Sequence, residues 1–585
     1  MPKRKGDNSL DDIRHTLAHL LAAAVLEIRP QAKLGIGPTI ENGFYYDFGL
    51  EEFLTPEDLP GLEKRMRELI KKAPKISGSK ATPANARKLF KDQPYKLDLI
   101  KDFTKEKKQL TVYKLGDIFT DLCKGGHVKS TKDIKPEAFK LTHLAGAYWK
   151  GDEKNAQLQR VYGVAFATKK ELGEYLKRLE EAEKRDHKIL GLALDLFTFS
   201  DLVGPGLPLW TPKGTLLRNT LDDLVWSLRQ ERGYVKVEIP HITKKELYEV
   251  SGHWDKFGNE LFKITTREGH EFAMKPMNCP HHIQIFQRKQ WSYKEMPQRY
   301  ADTTACYRDE QTGELSGLSR TRAFTQDDAH VFCRTSQLKE EFLKIWDIVD
   351  IFYKAVGFTD LDVRISGHDP DDFKAYLGTK PMWQKAEQTL KEIAKERGVE
   401  AYFAPGEAAF YGPKIDFVAH DAIGREWQVA TIQLDINLPE RFDVFCIDEK
   451  GKKERLVMIH AAIMGSIERF LSVLIEHHAG AFPTWLSPVQ VQVLAVGEKY
   501  QPYAKKVADK LTEANIRAEL TDADETLGKK IREGETQKTP YLLVVGEKEE
   551  KANLVAVRKR GQGDMGTQKL SSFIQLIQKE VSKFK

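Results

Sequence analysis

One cysteine and two histidines are the residues of this chain whose types best suit a metal ion. Cys279, His330 and His460 lie far apart in the sequence. A thiolate and two imidazoles form a suitable ligand set for zinc, with a fourth position left for a substrate or water. The wide spacing makes no local metal-binding motif, and a lone cysteine or histidine is more often an ordinary core residue. The residue types therefore leave a zinc site and a buried core as alternatives.

Arginines in separate segments have the chemistry to bind a triphosphate. Arg308 ends a predicted strand, Arg320 follows a loop, and Arg469 lies in the first turns of an amphipathic helix. A guanidinium is permanently charged and can hold phosphate oxygens bidentately. A single arginine more often forms a structural ion pair. Three of them, each near glycine and acidic residues, favour a triphosphate site.

A second group of histidines and a cysteine lies in the first quarter of the chain. His15 and His19 are four residues apart and share one face of a predicted helix, and Cys123 and His127 repeat the spacing. By residue type alone, this pair of motifs is compatible with another zinc site. It is also compatible with a group of histidines and a cysteine that holds no metal.

These residues lie on elements that the sequence pattern predicts. Apolar residues recur at helical spacing from Leu10 to Ile28, and an aromatic-rich alternation from Gly35 to Phe48 predicts strands. A charged helix is predicted from about Lys169 to Lys188, and a long helix from Gly214 to Arg232. After Pro488, an apolar strand starts an alternating β/α pattern that continues to the C-terminus.

The composition is that of an ordinary globular protein. The chain has 585 residues, 41% of them hydrophobic and 30% charged, which is enough for several domains. No stretch approaches the roughly 18 apolar residues of a membrane span, and no secretory signal is visible, so we expect no membrane partner. Five scattered cysteines argue for a reducing compartment, and we predict the cytoplasm. The net charge of +6 permits an anionic partner without requiring one.

Three segments of the central block resemble the three motifs of class II aminoacyl-tRNA synthetases. They are the Pro240 segment GYVKVEIPHI, the Arg308 segment that runs on to Phe332, and the Arg469 helix MGSIERFLSVLIEHH. Five short segments together resemble the threonyl-tRNA synthetase family. They are MKPMNCP, FTQDDAH, FYGPKIDF, WQVATIQLD and IHAAIMGSIERF. The likeness extends over nearly the whole chain from residue 10. It implies a multidomain α+β protein with an antiparallel class II catalytic sheet, an α+β editing domain and an α/β anticodon-binding domain.

The resemblance implies a role for each residue of the central site. Cys279, His330 and His460 would hold one zinc ion per subunit, which the amino and hydroxyl groups of L-threonine chelate. Valine lacks the hydroxyl and is excluded, whereas an apolar pocket separates such isosteres only by about 10². Asp328 would accept from the hydroxyl, Arg308 would bridge carboxylate and α-phosphate, Arg469 would hold the γ-phosphate, and Phe324 would stack on adenine. The further residues implied for the substrates are Gln326, Tyr411, Lys414, Glu310, Arg320, Gln428, Gln433 and Met277. Because the reaction needs positioning and charge neutralisation, Mg²⁺ is expected with ATP.

The N-terminal cluster resembles the editing site of the same family. Serine differs from threonine by one methyl group, which is worth only about 1–3 kcal/mol, so hydrolysis of the wrong product at a second site is expected. The resemblance implies clearance of seryl-tRNA(Thr) by water attack without a metal. The residues implied are His15, His19, Cys123, His127, Asp121, Tyr46 and Lys96. Gly126 replaces the proline usual in the family, and Ser316, Ala323 and Ala461 are further departures.

The C-terminal region resembles the anticodon-binding domain of class IIa synthetases. Arg532, Glu549 and Arg558 lie where the family contacts anticodon bases, which implies tRNA(Thr) as a partner. The Pro240 segment implies a homodimer. We predict a disordered tail at 1–8, an editing domain at 9–165, a linker helix at 166–192, a catalytic domain at 193–487 and an anticodon-binding domain at 488–585. Because about nine residues precede the editing domain, the resemblance implies a form without the small ubiquitin-like domain that begins many bacterial members.

The predicted function is ATP-dependent activation of L-threonine, its transfer to tRNA(Thr), and hydrolytic editing of seryl-tRNA(Thr). The alternative is a non-ligating synthetase paralogue that binds tRNA or regulates. Such a paralogue usually lacks motif arginines or metal ligands, and this sequence retains them.

Overall fold

The structure is a computed structural model that describes residues 10–152, 154–521 and 524–582. The chain forms two compact units, residues 1–180 and 181–585, which are described separately. The predicted tail at residues 1–8 lies outside the described residues. No helix in the described ranges is long and apolar enough to cross a membrane.

The first unit begins with a buried helix packed on an antiparallel sheet. The helix lies where its periodicity predicts, from Leu10 to Ile28, and one face contributes Leu17, Leu20 and Leu21 to the core. The sheet has the order β1-β3-β8-β7, and β2 pairs with β3. In chain order its elements are α1 (Leu10–Ile28), β1 (Lys33–Leu34), β2 (Thr39–Ile40), β3 (Gly43–Gly49), α2 (Leu59–Lys71), β4 (Ile76–Ala81), α3 (Pro83–Leu89), α4 (Pro94–Lys105), β5 (Leu110–Leu115), β6 (Phe119–Leu122), β7 (Phe139–Tyr148) and β8 (Gln157–Ala165).

A second, smaller sheet of this unit has the order β4-β5-β6. It packs with α3 and α4 around a separate cluster that includes Phe90, Ile100 and Val112. Residue 121 lies in β6 and residue 123 follows this strand directly, while Lys96 lies in α4. The small sheet therefore brings the Cys123 segment against α1.

The predicted charged helix is α5 (Lys169–Arg185), in which only Leu172 is buried. It ends earlier than the Lys188 predicted. Asp186 has extended ψ and caps a separate helix, α6 (His187–Ala193), by accepting from the backbone N–H of Lys188. The change of helix at Asp186 is a local capping effect that helical periodicity does not encode.

The second unit is built on an eight-stranded sheet of order β11-β15-β16-β23-β20-β19-β17-β18. The six central strands are antiparallel, and both edge pairs are parallel. The first elements of this unit after α6 are β9 (Phe197–Thr198), β10 (Leu209–Trp210), α7 (Pro212–Gln230), β11 (Val235–Lys236), β12 (Ile242–Lys244), α8 (Lys245–Ser251), α9 (His253–Phe257), β13 (Lys263–Thr265), β14 (Glu271–Met274), α10 (Cys279–Phe286), β15 (Gln298–Tyr307) and β16 (Ala323–Cys333).

The rest of the catalytic sheet and its covering helices follow. The apolar faces of α7, α11 and α14 contribute to one large core with β16, β20 and β23. The elements are α11 (Leu338–Val356), β17 (Leu361–Gly367), α12 (Lys380–Glu396), β18 (Ala401–Pro405), β19 (Lys414–His420), β20 (Glu426–Asp435), α13 (Leu438–Arg441), β21 (Phe445–Ile447), β22 (Lys453–Arg455), β23 (Val457–Ser466) and α14 (Ile467–His478).

The C-terminal region is a five-stranded mixed sheet with its own core. The order is β25-β24-β26-β27-β28, in which β24 is parallel to β25 and β26 and the last two pairings are antiparallel. The elements are β24 (Val491–Ala495), α15 (Gln501–Glu513), β25 (Ala518–Leu520), α16 (Leu527–Thr536), β26 (Tyr541–Val545), α17 (Glu547–Ala552), β27 (Leu554–Lys559), β28 (Gly563–Lys569) and α18 (Leu570–Ser582). The multidomain α+β fold predicted from the sequence is confirmed.

Candidate functional site

The predicted zinc ligands converge although they are distant in sequence. Cys279 is the first residue of α10, and His330 and His460 lie directly opposite each other on the neighbouring strands β16 and β23. Each offers one ligand atom, and these atoms all lie within 4.8 Å of one another. All three residues are buried. The sheet register therefore decides the convergence, because it places both imidazoles on one face.

The geometry of the trio fits zinc. Nε2 of His330 lies 3.1 Å from Nδ1 of His460. Zinc–nitrogen bonds of about 2.0–2.1 Å in a tetrahedral site place two ligand nitrogens about 3.3 Å apart. The other nitrogen of His460, Nε2, contacts Oδ2 of the buried Asp435 at 2.8 Å. Nδ1 of His330 similarly lies 2.7 Å from Nδ1 of His282. The imidazole rings of His330 and His460 are thus each oriented by a contact at the nitrogen that does not face the other ligands, as in metal sites generally.

Burial sets the charge states of the ligands. It lowers the pKa of His330 well below its usual value, so this imidazole is neutral and has a lone pair to donate. Burial also raises the pKa of the Cys279 thiol well above its usual value, and the nearby Asp328 and Asp435 carboxylates add to this. A cation at the trio would reverse that effect and stabilise the thiolate.

A cavity of about 470 Å³ opens beside the trio. It brings together most of the residues predicted for the substrate. His460 borders it together with the predicted residues Met277, Arg308, Gln326, Asp328, Tyr411, Lys414, Gln428 and Gln433. Glu310, Arg320, Phe324 and Arg469 are not among its lining residues.

Two buried polar side chains of the cavity wall are held by hydrogen-bond partners. Asn278, next to the ligand Cys279, donates to Oδ2 of Asp328 at 3.0 Å. Gln433 donates to the carbonyl of Gly412 at 2.9 Å. Gly412 has no space for a side chain, because a Cβ there would lie 2.0 Å from the carbonyl oxygen of Leu434. These hydrogen bonds and the close backbone packing at Gly412 hold the side chains of Asp328 and Gln433 in fixed positions.

A buried carboxylate that the sequence did not single out organises one side of the cavity. Asp416 is fully buried in β19. Its Oδ1 accepts from Gln428 at 2.8 Å and Thr431 at 2.7 Å, and its Oδ2 pairs with the Lys414 ammonium at 2.8 Å. Both predicted residues, Lys414 and Gln428, thus depend on Asp416 for their positions.

The residues predicted for the nucleotide lie around Arg308, which follows β15. Its guanidinium lies 5.2 Å from the ring centre of Phe257 and 5.1 Å from that of Phe324. Within the described residues, its Nε is buried without a hydrogen-bond partner. A buried donor of this kind is suited to an anionic ligand. Glu310 and Arg320 pair with each other at 2.7 Å, and Arg469 lies exposed in the first turn of α14.

The editing residues predicted in the first unit also converge. Asp121 is buried and receives the hydroxyl of Tyr46 at 2.6 Å on Oδ2 and the ammonium of Lys96 at 2.5 Å on Oδ1. Nε2 of His19 lies 3.6 Å from the same carboxylate. A cavity of about 330 Å³ is lined by His15, His19, Lys96, Asp121 and Cys123.

The thiol of Cys123 lies between two of the predicted histidines. Its Sγ is 3.4 Å from Nε2 of His15 and 3.2 Å from Nε2 of His127. Burial raises the pKa of Cys123 to about 11 and lowers that of His127 to about 2. Thr111, also unforeseen from the sequence, donates its hydroxyl to the Cys123 carbonyl. At neutral pH, neutral imidazoles of His15 and His127 therefore face the protonated thiol of Cys123.

The three predicted anticodon residues have separate local partners. Arg532 lies exposed on α16, and Arg558 on β27 is 3.7 Å from Glu535. Glu549 accepts from the backbone N–H of Gly546 at 3.0 Å and so caps its own helix, α17. Their predicted role in base contacts stays a prediction.

Several residues that contact the predicted zinc ligands are not predicted by any spacing in the sequence. His253 is fully buried, with Nε2 at 3.9 Å from Sγ of Cys279, and His282 and Asp435 contact the two histidine ligands. His282 belongs to the quoted segment MKPMNCPHH and Asp435 to WQVATIQLD. Their places in those segments were the available clue, because no spacing rule links them to the ligands.

Comparison with known proteins gives matches to three families. Residues 262–478 match the tRNA synthetase class II core domain (G, H, P, S and T), and residues 490–580 match an anticodon binding domain. Residues 110–162 match the threonyl and alanyl tRNA synthetase second additional domain. The eight-stranded sheet with its antiparallel centre, the motif arginines and the first of these matches define a class II tRNA synthetase.

Whole-chain relatives specify the member of the class. The chain is 49% identical to the threonine–tRNA ligase of Porphyromonas gingivalis over 97% of this chain and 87% of that protein. It is 47% identical to the threonine–tRNA ligase of Gloeobacter violaceus over 99% of this chain and 94% of that protein. The crystal structure of the RNA binding domain of threonyl-tRNA synthetase from Cryptosporidium parvum has a TM-score of 0.64 at 37% identity, covering 68% of this chain and 98% of that one. This chain belongs to the threonine–tRNA ligase family.

Proposed function

We propose that this chain activates L-threonine with ATP, transfers it to tRNA(Thr), and hydrolyses mischarged seryl-tRNA(Thr) at a second site. The observation that carries the ligase proposal is the convergence of Cys279, His330 and His460 at the edge of a cavity that Asp328 also lines. A zinc ion bound there would supply a Lewis-acidic position for amino and hydroxyl ligands.

The residues of the chain would bind and orient threonine in this cavity. Asp328, which accepts a hydrogen bond from Asn278, would accept from the substrate hydroxyl. Gln326, Tyr411 and Met277 would enclose the rest of the amino acid. Burial raises the pKa of Tyr411 well above its usual value, so the phenol keeps its proton and can donate.

The arginines would bind ATP with Mg²⁺. Arg308, with its unpartnered buried Nε, would neutralise the amino-acid carboxylate and the α-phosphate as they approach each other. Phe324 would stack on adenine, Arg469 would hold the γ-phosphate, and Glu310, Arg320 and Gln428 would complete the site. Lys414, held by Asp416, and Gln433 would fix the cavity wall. Adenylate formation then requires positioning and charge neutralisation more than proton transfer.

Amino-acid-dependent exchange of pyrophosphate into ATP tests the ligase proposal. Threonine should support exchange, whereas valine should be rejected by about 10⁴-fold, because a site built for a hydroxyl leaves its polar groups unpaired without one. Serine should lose only about 10- to 200-fold for its missing methyl group. No threonine-dependent exchange by zinc-loaded protein would refute the proposal.

A variant of the hydroxyl acceptor tests the role of Asp328. Asp328→Asn should lower kcat/KM for threonine by roughly 10- to 150-fold, the value of a charged hydrogen bond of about 1.5–3 kcal/mol. The matched control is Asp443→Asn, which changes an exposed carboxylate paired with Lys453 and Arg455. Equal activities of the two variants would remove Asp328 from the substrate site.

We further propose the Cys123 cluster as the editing site. His15, His19, Cys123 and His127, with Asp121, Tyr46 and Lys96, would bind the seryl ester and position the attacking water. Cys123→Ala should slow hydrolysis of seryl-tRNA(Thr) by at least about 10²-fold, the usual contribution of a proton-transfer group. The control is His143→Ala, which replaces an exposed histidine stacked on Tyr162 in the same unit. Unchanged hydrolysis in Cys123→Ala would refute this assignment.

The remaining proposals concern partners. Arg532, Glu549 and Arg558 would contact the anticodon of tRNA(Thr), and the Pro240 segment would form a homodimer interface. Sedimentation equilibrium of the full chain tests the dimer, and a monomer at micromolar concentration would refute it. We propose the cytoplasm as the place of action, because all five cysteines are free of disulfide bonds.

A further inference from the structure

The editing cluster has the ligand set of a closed metal site. His15, His19, Cys123 and His127 each offer one ligand atom, and these atoms all lie within 4.8 Å of one another. The two measured sulfur–nitrogen distances, 3.4 and 3.2 Å, compare with the separation of about 3.6 Å between a thiolate and an imidazole on tetrahedral zinc. Three imidazoles and a thiolate are soft or borderline ligands that favour zinc-class ions.

The hydrogen bonds of Thr16 fix which nitrogen of His127 carries the proton. The Thr16 hydroxyl donates its only proton to the carbonyl of Asp12 at 2.7 Å. Its oxygen can therefore only accept from Nδ1 of His127, which lies 3.3 Å away. With the proton on Nδ1, Nε2 of His127 presents a lone pair to Cys123.

The glycine pair lies beside the other ring nitrogen of His15. Burial lowers the pKa of His15, and the nearby backbone of Gly125 and Gly126 opposes this shift. Nδ1 is the nitrogen that faces this loop, because Nε2 contacts Cys123. Nε2 of His15 therefore also presents a lone pair to the sulfur.

Two lone pairs thus face one thiol, which has a single proton to donate. The sulfur in addition accepts the backbone N–H of Gly125 at 3.3 Å. Such an N–H donor stabilises a thiolate, which is the form that binds metals. A cation at the centre would satisfy both nitrogens and the sulfur together, whereas one proton cannot.

The loop that supplies these contacts has a conformation particular to its glycines. Gly125 and Gly126 have φ values of 104° and 84°. Proline is locked near a φ of about −65°, so a proline at residue 126 could not adopt this backbone. The glycine at this position therefore allows the loop to turn its backbone toward His15 and Cys123.

We propose that His15, His19, Cys123 and His127 bind a zinc-class divalent cation, and that the bound cation blocks hydrolysis at this site. Binding takes Cys123 as the thiolate and releases its proton to solvent. Four protein ligands close a tetrahedral site, so no position is left for a water molecule. The second half of the proposal rests on the proposed editing function, whereas the binding itself does not.

Metal stoichiometry of the full chain tests the binding. Protein stripped with a chelator is reloaded with Zn²⁺, passed through a desalting column and measured by mass spectrometry of the metal. We expect wild type to retain one more equivalent of zinc than Cys123→Ala and Cys123→Ser, and His143→Ala to match wild type. Circular dichroism checks that each variant is folded. Equal zinc contents of wild type and both Cys123 variants would overturn the proposal.

Cobalt provides a spectroscopic readout that a merely structural role of these residues would not change. Co²⁺ on a thiolate gives a sulfur-to-metal charge-transfer band in the near ultraviolet. The difference spectrum between wild type and Cys123→Ala should contain such a band, with the visible absorption of tetrahedral cobalt. A flat difference spectrum at saturating cobalt would contradict the proposal.

A variant outside the ligand set tests the orientation argument. Thr16→Val removes the hydroxyl that holds Nδ1 of His127 while keeping a buried side chain of similar size. Loss of such an orienting partner should weaken zinc binding at this site by about 10- to 100-fold without changing the stoichiometry at saturation. An unchanged affinity would contradict the assignment of His127 as a ligand.

Hydrolysis of seryl-tRNA(Thr) tests the blocking effect. Added Zn²⁺ should inhibit wild-type hydrolysis over the concentration range in which the extra equivalent binds, and a chelator should restore the activity. Binding without inhibition would overturn the blocking half alone. If the metal-free protein has no hydrolytic activity, the proposed editing function fails, and the stoichiometry still decides whether the metal site exists.

Discussion

A single carboxylate decides which nitrogen of His460 faces the other zinc-type ligands. Oδ2 of Asp435 contacts Nε2 of His460, while Oδ1 accepts the backbone N–H groups of Asn437 and Leu438 at 2.9 Å. A carboxylate partner raises the basicity of a ligand imidazole and fixes its ring. Asp435 is fully buried, and His460 is the contact of its Oδ2.

Asp435→Asn should therefore weaken zinc binding at Cys279, His330 and His460 by about 10- to 100-fold. The asparagine carbonyl can still cap the turn at Asn437, so the loss should concern the metal more than the fold. Competition with a chromophoric chelator measures the affinity, and Asp443→Asn serves as the exposed control. A wild-type affinity in Asp435→Asn would mean that Asp435 does not orient the ligand.

At the residue scale, the sequence does not predict which side chains contact one another. The segments around Cys279, His330 and His460 predict them as zinc ligands. Their ligand atoms lie within 4.8 Å of one another, which fits that prediction. The contact of Asp435 with His460 comes from the pairing of β20 with β23, and that of His282 with His330 from a contact between α10 and β16. No spacing in the sequence specifies either contact. The same holds for Asp416, whose partners Lys414, Gln428 and Arg364 come from three different strands.

At the scale of elements, the pairing of β16 with β23 is interrupted where the cavity lies. The register shifts between Gln326 and Asp328, which pair with Ser466 and Ala462. The Asp327 carboxylate fills this irregularity, with Oδ2 accepting from the backbone of Ile463 and Oδ1 from that of Met464, both at 2.9 Å. The bulge aims Gln326 and Asp328 into the cavity, as β-bulges beside active sites often do.

Asp327→Asn should destabilise this part of the sheet. The carboxylate pairs with the buried Arg229 at 3.1 Å, so the variant leaves an unpaired buried charge as well as a weakened bulge. Breaking a buried pair by changing one partner costs about 3–5 kcal/mol in the free energy of unfolding. Denaturation by urea, monitored by tryptophan fluorescence, measures the change.

The exposed pair of Asp443 with Arg455 gives the matched control for this prediction. Exposed ion pairs contribute about 0–1 kcal/mol, so Asp443→Asn should leave the unfolding midpoint almost unchanged. If both variants shift the midpoint equally, the Asp327 carboxylate is not needed for the bulge.

Elements with strong periodicity are the part of the fold that the sequence predicts well. The first helix spans Leu10 to Ile28 as predicted, because its apolar face packs continuously against the sheet. The strand predicted before Pro240 is reduced to Val235–Lys236, since it pairs only at the edge of the sheet. The charged helix stops at Arg185 because Asp186 caps the next helix. Edge pairing and capping depend on neighbours, so a local pattern does not determine them.

At the scale of the whole molecule, the residues proposed for editing belong to a unit with its own core. Residues 1–180 cluster separately from residues 181–585, and α1, α2 and the sheet of β1, β3, β7 and β8 enclose a continuous apolar cluster. A unit of this size can bury enough surface to fold by itself. The residues of the cluster all lie within this unit: His15, His19, Lys96, Asp121, Cys123 and His127.

A fragment that ends at Arg185, the last residue of α5, should therefore unfold cooperatively by itself. Its melting temperature should match one of the transitions in calorimetry of the full chain, because its two apolar clusters lie within the fragment. The control is a fragment that ends at Ala156 and so lacks β8, the strand between β3 and β7. Removing that strand exposes both neighbours and the apolar face of α1, so this fragment should give no cooperative transition. A fragment ending at Arg185 that also melts without cooperativity would show that the first unit depends on the second for its stability.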